Sequence, residues 1–346
     1  MTVTIRHGDC REVLRTLPDQ SVHCCVTSPP YFGLRDYGVA GQIGLEPTPD
    51  AFVAEMVAVF REVRRVLRDD GTLWLNLGDS YASGGRKSRD PGKSKIHPAF
   101  EGDSYSEGLR PDDPDGIKPK DMLGVPWMVA FALRADGWYL RQDIIWSKPN
   151  PMPESVQDRC TKAHEYLFLL SKNQRYHYDA AAIREDRTSD EDANTFRGGC
   201  YVEGDIDNGE MGKRQVVGNK RVKVPGGWDR GAGAHGTIHR DGRTSAEYQE
   251  VEIAGGRNKR SVWSVATAPF AEAHFATFPP ELIKPCVLAG CPVGGTVLDP
   301  FGGAGTTGLV ADRLQRGAIL IELNPEYAAI AERRIHGDAG MFADVR

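Results

Sequence analysis

Thr296-Val-Leu-Asp-Pro-Phe-Gly-Gly-Ala-Gly-Thr-Thr-Gly308 carries a short apolar run into Gly303-x-Gly305-x-x-Gly308, which opens a helical pattern from Thr306 to Arg316. A second apolar run, Ala318 to Glu322, ends on a carboxylate 23 residues beyond Asp299. Glycines let a backbone turn tightly and approach a ligand, and a helix N-terminus offers N–H groups without partners of their own. An acid at the end of the next strand is placed to take ribose hydroxyls. The pattern describes a nucleoside-cofactor site that suits a dinucleotide or S-adenosylmethionine alike. Its position separates the two. Only 24 residues follow Glu322, too few for the remaining strands of a nucleotide-binding half-domain.

Those strands are sought at the other end of the chain. Thr2 to Arg6 alternates as a strand, Cys10 to Leu17 forms a short helix, and Val22 to Thr27 is a buried strand. Asp50 caps a helix from Ala51 to Arg68, whose stripe is Phe52, Met56, Val59, Phe60, Val63 and Leu67; Gly71 ends it before a strand over Thr72 to Leu77. A helix over Asp121 to Asp136 and strands over Trp138 to Trp146 and Glu165 to Leu170 continue the rhythm. After Ser261 it resumes, ending with a helix over Pro325 to Ile335. This βαβ alternation predicts a parallel sheet covered by helices and assembled from both ends of the chain.

Two stretches interrupt it. Residues 83–116 are rich in Gly, Pro, Ser, Lys and Asp, lack periodicity, and are expected to form a mobile loop. Residues 184–262 hold 14 of the 39 glycines and few apolar runs. Their charge is divided: −7 over 185–210 and +6 over 211–262. The basic half suits a polyanion, with Lys213, Arg214, Lys220, Arg221, Lys223, Arg257, Lys259 and Arg260 as candidate phosphate or guanine contacts. The net charge of −5 over 346 residues, with 43 Lys plus Arg against 48 Asp plus Glu, excludes only a protein coated in positive charge.

The seven cysteines include no C-x-x-C pair and point to a reduced, cytoplasmic protein without a zinc site. No signal-type apolar core opens MTVTIRHGDC, and Met122 to Leu133, broken by Pro126, is too short to cross a bilayer.

Thr27-Ser-Pro-Pro-Tyr31 follows the buried strand Val22 to Val26. It therefore sits at a strand's C-terminal end, where open α/β sheets bind ligands. Two prolines remove two donors and leave carbonyl acceptors beside a hydroxyl and an aromatic ring. That set suits the exocyclic amine of a planar base: oxygens take the amine hydrogens while Tyr31 stacks on the ring. Holding both hydrogens draws the nitrogen lone pair out of conjugation.

Together these segments resemble the β-group amino DNA methyltransferases, over most of the chain except 83–116 and 184–260. Thr27-Ser-Pro-Pro-Tyr31 is similar to the family's catalytic motif, in the Ser form usually associated with cytosine-N4 enzymes. Adenine-N6 enzymes more often carry Asp or Asn there, and adenine-N6 methylation is the alternative the resemblance leaves. Asp299-Pro-Phe-Gly-Gly-Ala-Gly-Thr-Thr307 is similar to its cofactor motif. Glu322 matches the ribose acid, and Gly8-Asp9-Cys10 the segment meeting the adenine ring. His274-Phe-Ala-Thr-Phe-Pro-Pro-Glu-Leu282 resembles the segment at the methionine end of the cofactor, and Ile144-Ile-Trp-Ser-Lys-Pro-Asn150 one near the target base.

The resemblance implies a Rossmann-like S-adenosylmethionine-dependent fold with circularly permuted motifs. Residues 1–183 would form the catalytic part, 184–262 an inserted target-recognition region, and 263–346 the cofactor-binding part. It implies catalysis by Ser28, Pro29, Pro30 and Tyr31. Cofactor contacts would come from Asp9, Cys10, Phe278, Asp299, Pro300, Phe301, Gly303, Gly305, Thr306 and Glu322. Trp146 and Lys148 would border the base. Double-stranded DNA is the implied partner, with a cognate restriction endonuclease and a homodimer as further expectations. No metal is needed for direct transfer. Pro285-Cys286 lies within a helical pattern, so Cys286 is expected in the core rather than as a nucleophile. A nicotinamide-dependent oxidoreductase would keep the glycine loop but leave Ser28 to Tyr31 without a role, and a non-catalytic DNA-binding protein would use the basic half of the insert and need no cofactor.

Overall fold

The computed structural model describes residues 1–82, 117–185, 222–225, 248–251, 257–267, 278–339 and 344–345. They divide into two compact units, one of residues 1–183 with 260–346 and the other of 184–259. In chain order the strands are β1 (Thr2–His7), β2 (Val22–Thr27), β3 (Leu67–Leu77), β4 (Tyr139–Ser147), β5 (His164–Ser171), β6 (Val222–Pro225), β7 (Tyr248–Val251), β8 (Val262–Ser264), β9 (Thr296–Asp299), β10 (Gly317–Glu322) and β11 (Asp344–Val345). The helices are α1 (Cys10–Thr16), α2 (Pro49–Val66), α3 (Val125–Ala135), α4 (Pro280–Gly290), α5 (Thr306–Arg313) and α6 (Pro325–Ala339).

Nine strands form one sheet in the order β11-β1-β10-β9-β2-β3-β5-β4-β8. The sheet is indeed built from both ends of the chain: β1 pairs in parallel with β10, and β2 with β9. The expected all-parallel sheet is corrected at one strand. β5 runs antiparallel to β3 and to β4 and lies between them. An apolar run buried on both faces reads the same in either direction, so periodicity carries no sign of strand polarity. β8, whose first residue falls within the predicted insert, pairs with β4 and belongs to this sheet.

The strand side chains alternate between two cores. Cys25, Leu73, Leu75 and Leu77 meet α1, α2 and α3 on one face. Cys24, Val26 and Trp74 meet α4, α5 and α6 on the other. The α2 stripe predicted from its spacing is buried, but the helix bounds differ. The cap is Thr48, whose Oγ1 accepts from the Ala51 N–H at 3.1 Å, and Pro49 occupies the first turn, where its missing N–H costs nothing. The chain leaves the helix at Val66 and enters β3 at Leu67, ahead of Gly71. α3 starts at Val125 instead of Asp121: Gly124 is left-handed at φ 72°, and the Asp79 carboxylate accepts from Gly124 N at 3.1 Å and Val125 N at 3.2 Å. That cap lies 45 and 46 residues away in sequence, beyond any local pattern. Cys286 is fully buried in α4, as expected. No helix among the described residues is long and apolar enough to cross a membrane.

Gly305, at φ 77°, caps α5, and a Cβ built there would lie 2.8 Å from Ala331 Cβ. Gly294 has the same φ of 77° with nothing within 4 Å of such a Cβ. Gly294→Ala should therefore cost only the backbone strain of about 1–2 kcal/mol, and Gly305→Ala about 1–3 kcal/mol more from overpacking against α6. Urea denaturation of the two variants reads the difference, and equal losses would refute the packing account.

Candidate active site

A cleft opens where the C-terminal ends of β1, β2, β9 and β10 meet. It brings together Asp9, Cys10, Ser28, Pro30, Phe278, Pro300, Phe301, Gly303, Thr306 and Glu322 from the sequence expectation. It also gathers Tyr37 and Tyr327, which no motif marks. Asp299, Gly305, Pro29 and Tyr31 are not among its lining residues; Asp299, Gly305 and Tyr31 have contacts of their own.

Asp299 is 1% exposed and sits beneath the glycine loop. Its carboxylate accepts from Thr27 Oγ1 at 2.6 Å, Thr307 Oγ1 at 2.6 Å and the Phe301 N–H at 3.0 Å. One side chain thus joins the end of β2, the start of α5 and the loop between β9 and α5. Burial pushes its carboxyl up to about 6, against the lowering effect of those three donors. Gly305 serves the contact with α6 described above, which requires a residue without a Cβ.

The loop itself is fixed by its neighbours. Gly302 N–H donates to the Ile321 carbonyl at 2.8 Å, and Gly303, at φ 49°, donates its N–H to Glu322 Oε2 at 2.7 Å. The other Glu322 oxygen accepts from Asn324 N–H at 2.8 Å. Burial raises the Glu322 carboxyl, with the backbone donors opposing. Each oxygen keeps a lone pair for a further donor on the cleft side. Asp9 caps α1 through the Arg11 N–H at 2.8 Å and is gripped by the Arg11 guanidinium at 2.5 to 3.1 Å. Most of its acceptor capacity is therefore used inside the protein. Cys10 keeps its proton, its thiol pushed up to about 12 by burial. Acid acceptors at Glu322, aromatic rings at Phe301, Tyr37 and Tyr327, and a neutral thiol make a cradle that fits a nucleoside bearing a ribose diol.

At the end of β2, Ser28 and Pro30 line the cleft while Pro29 is buried. Tyr31 turns inward. Its ring lies so close to Gly78 that a Cβ there would sit 2.5 Å from Tyr31 Cε2. Its hydroxyl reaches Glu165 Oε2 at 2.6 Å, Asn76 Oδ1 at 3.1 Å and Ser28 Oγ at 3.5 Å. Burial, then the negative Glu165, holds the phenol well above its usual value and hence neutral. Trp146 is 3% exposed, with its indole N–H bonded to the Val265 carbonyl at 2.8 Å, so it is a core residue rather than a border of the base. Lys148 forms an ion pair with Glu165 and lies 4.4 Å over the Trp146 ring. Glu165 and Asn76 were missed by sequence reasoning. Their only signal was polarity inside otherwise apolar strands.

Of the basic candidates, Lys213, Arg214, Lys220 and Arg221 lie outside the described residues, and Lys223 is placed in β6, which pairs antiparallel with β7. Arg257 and Lys259 both face Glu185, at 3.3 and 3.9 Å. Arg260 falls in the sheet-bearing unit and accepts the Trp263 indole N–H on its carbonyl at 2.6 Å.

The sheet, the glycine loop and the Ser-Pro-Pro-Tyr turn on one cleft define a methyltransferase of the Rossmann-like class. The chain belongs to the N6/N4 DNA methylase family, whose model matches residues 22–333. Relatives include the type II methyltransferases M.Cfr9I of Citrobacter freundii, 45% identical over 97% of this chain and 88% of that protein, and M.SmaI of Serratia marcescens, 44% identical over 95% and 89%. Among solved structures, the fold is similar to the PvuII cytosine-N4-specific DNA methyltransferase, with a TM-score of 0.56 at 17% identity over 96% of this chain and 87% of that one. It is also similar to a putative DNA modification methylase of Thermus thermophilus complexed with S-adenosyl-L-methionine, with a TM-score of 0.54 at 23% identity over 99% of both chains. The protein is thus a type II DNA methyltransferase, and S-adenosylmethionine is its cofactor.

The Asp299 carboxyl makes a pH prediction. Between pH 4 and 6 the unfolded chain ionises this group while the folded protein still resists, because its value rises from 3.8 to about 6 on folding. The unfolded state then binds fewer protons, so this group's contribution lowers stability as pH rises through that window and is level above it. Asp299→Asn has no such titration. Urea unfolding at pH 4.5 and 6.5 should show the wild type losing more stability than Asp299→Asn over that interval; parallel changes would contradict the buried carboxyl.

Proposed function

We propose that the enzyme methylates the N4 amine of a cytosine flipped from double-stranded DNA into the cleft beside Ser28. The observation carrying this reading is the position of Ser28, which lines the cleft at the end of β2 among the proposed cofactor contacts. A hydroxyl there, in the form of the motif associated with cytosine-N4 enzymes, accepts one amine hydrogen, and the Pro29 carbonyl is the second acceptor. Glu322 and the Gly303 loop would hold the ribose of S-adenosylmethionine, with Phe301 and Cys10 along its rings. When bound, that group supplies an electrophilic methyl on a sulfonium sulfur. The protein's share is placement: both amine hydrogens are taken by fixed oxygens, so the nitrogen lone pair is freed toward the methyl. Sequence readout is assigned to 184–262, whose basic half would lie along phosphates and base edges. A cognate endonuclease completes the proposed setting, since the relatives are type II methyltransferases.

Incubation of unmethylated bacterial genomic DNA with the protein and labelled S-adenosylmethionine, followed by nucleoside mass spectrometry, tests the target. N4-methylcytosine is expected; N6-methyladenine would overturn the choice of base. Ser28→Ala should retain cofactor binding and lose about 100-fold in turnover, whereas unchanged turnover would remove Ser28 from catalysis.

A further inference from the structure

Three polar side chains, Asn76, Glu165 and Lys148, meet behind Ser28. Asn76 is 2% exposed on β3, and Glu165 lies beside it on the paired strand β5. The Asn76 amide N–H groups donate to Glu165 Oε2 at 3.2 Å and to the Tyr166 carbonyl at 3.0 Å. Lys148, the residue after β4, holds the other oxygen, Glu165 Oε1. Both carboxylate oxygens are thereby fixed, and one of them faces the Tyr31 hydroxyl at 2.6 Å. A phenol next to a carboxylate directs its single O–H at the charged acceptor, because a charge-assisted bond is shorter and stronger than one to the neutral Asn76 oxygen at 3.1 Å. The Tyr31 oxygen is then left as an acceptor toward Ser28, whose Oγ stands at 3.5 Å, the long end of hydrogen-bond range. Such contacts shorten in catalytic complexes.

Resting on the role proposed above for Ser28, we infer that Glu165 is a positioning residue that sets the direction of the Ser28-Tyr31-Glu165 hydrogen-bond chain. Ser28 donates to Tyr31, and Tyr31 donates to Glu165. The Ser28 hydrogen is thus turned away from the cleft, and its lone pairs are presented to the incoming amine. Without Glu165 the Tyr31 proton can turn toward Ser28, the serine hydrogen can point into the cleft, and the amine then meets a donor instead of an acceptor. Lys148, expected at the base, acts one step further back by anchoring Glu165. The Tyr31 phenol, kept neutral by burial and by the carboxylate, remains a donor throughout.

The test is a double-mutant cycle on the full-length protein, with unmethylated bacterial genomic DNA and labelled S-adenosylmethionine. Glu165→Gln and Tyr31→Phe should each lower kcat by about tenfold or more, with KM and Kd for S-adenosylmethionine unchanged. The double variant should be no slower than the slower single variant, because both changes break one chain. Independent, multiplicative losses, an unchanged kcat in Glu165→Gln, or a loss appearing only in cofactor Kd would overturn the inference. If Glu165→Gln does not fold by circular dichroism, Glu165→Asp, which withdraws the carboxylate from Tyr31, takes its place in the same cycle. Ser28→Ala is measured alongside: full turnover in that variant overturns the assignment of Ser28 itself, and a loss there combined with multiplicative effects at Glu165 and Tyr31 overturns the chain alone.

Discussion

The carboxylate of Asp299 receives three donors in a site closed to water: Thr27, Thr307 and the Phe301 backbone. Thr27 is 272 residues away in sequence, so this one group ties the first strands of the chain to the last. A buried carboxylate is costly unless its lone pairs are filled. The threonines on β2 and α5 and the loop amide are therefore held to a narrow geometry. That geometry places the Ser-Pro-Pro-Tyr turn and the glycine loop on the same cleft. Moving either hydroxyl would leave a charge in an apolar layer, so the two halves of the sheet are locked where β2 meets β9.

The cleft lies where it does because parallel strands end there together and the chain after each one turns away to a helix. Backbone N–H groups of the glycine loop are used internally, on Ile321 and Glu322, so the loop is shaped before any ligand arrives. The same holds at Asp9, committed to Arg11, and at Tyr31, committed to Glu165. A cleft whose polar groups are already oriented loses little entropy on binding. Behind it, a polar cluster of Asn76, Glu165 and Lys148 interrupts the apolar packing of β3 and β5. Such a cluster is stable because each member has a partner, and it directs groups that face the cleft.

Much of this was legible in the residues themselves. The α2 stripe, the Val22 to Val26 strand and the glycine loop were marked by spacing alone, because a buried face repeats every 3.6 residues in a helix and a tight turn requires glycine. Helix ends were less legible: the cap of α3 comes from Asp79, and Leu67, which continues the α2 stripe at helical spacing, is already the first residue of β3. Individual roles were legible only by type. Asp299 looked like a ligand because acids near glycine loops often are, whereas its burial makes it a clamp. Tyr31 was legible as an aromatic ring at the turn, but its packing on Gly78 was not.

By itself, the sequence determined the alternation of elements, the joining of both chain ends in one sheet, and the pairing of the two motifs, since hydrophobic period and motif order are properties of a linear chain. Only the tertiary structure decided the antiparallel course of β5, the inward turn of Tyr31 and the meeting of Ser28, Tyr31, Asn76 and Glu165. Their physical reason is proximity across strands. Hydrogen bonds and burial act over a few ångströms in space, and residues 28, 76 and 165 acquire one chemistry only when β2, β3 and β5 lie side by side.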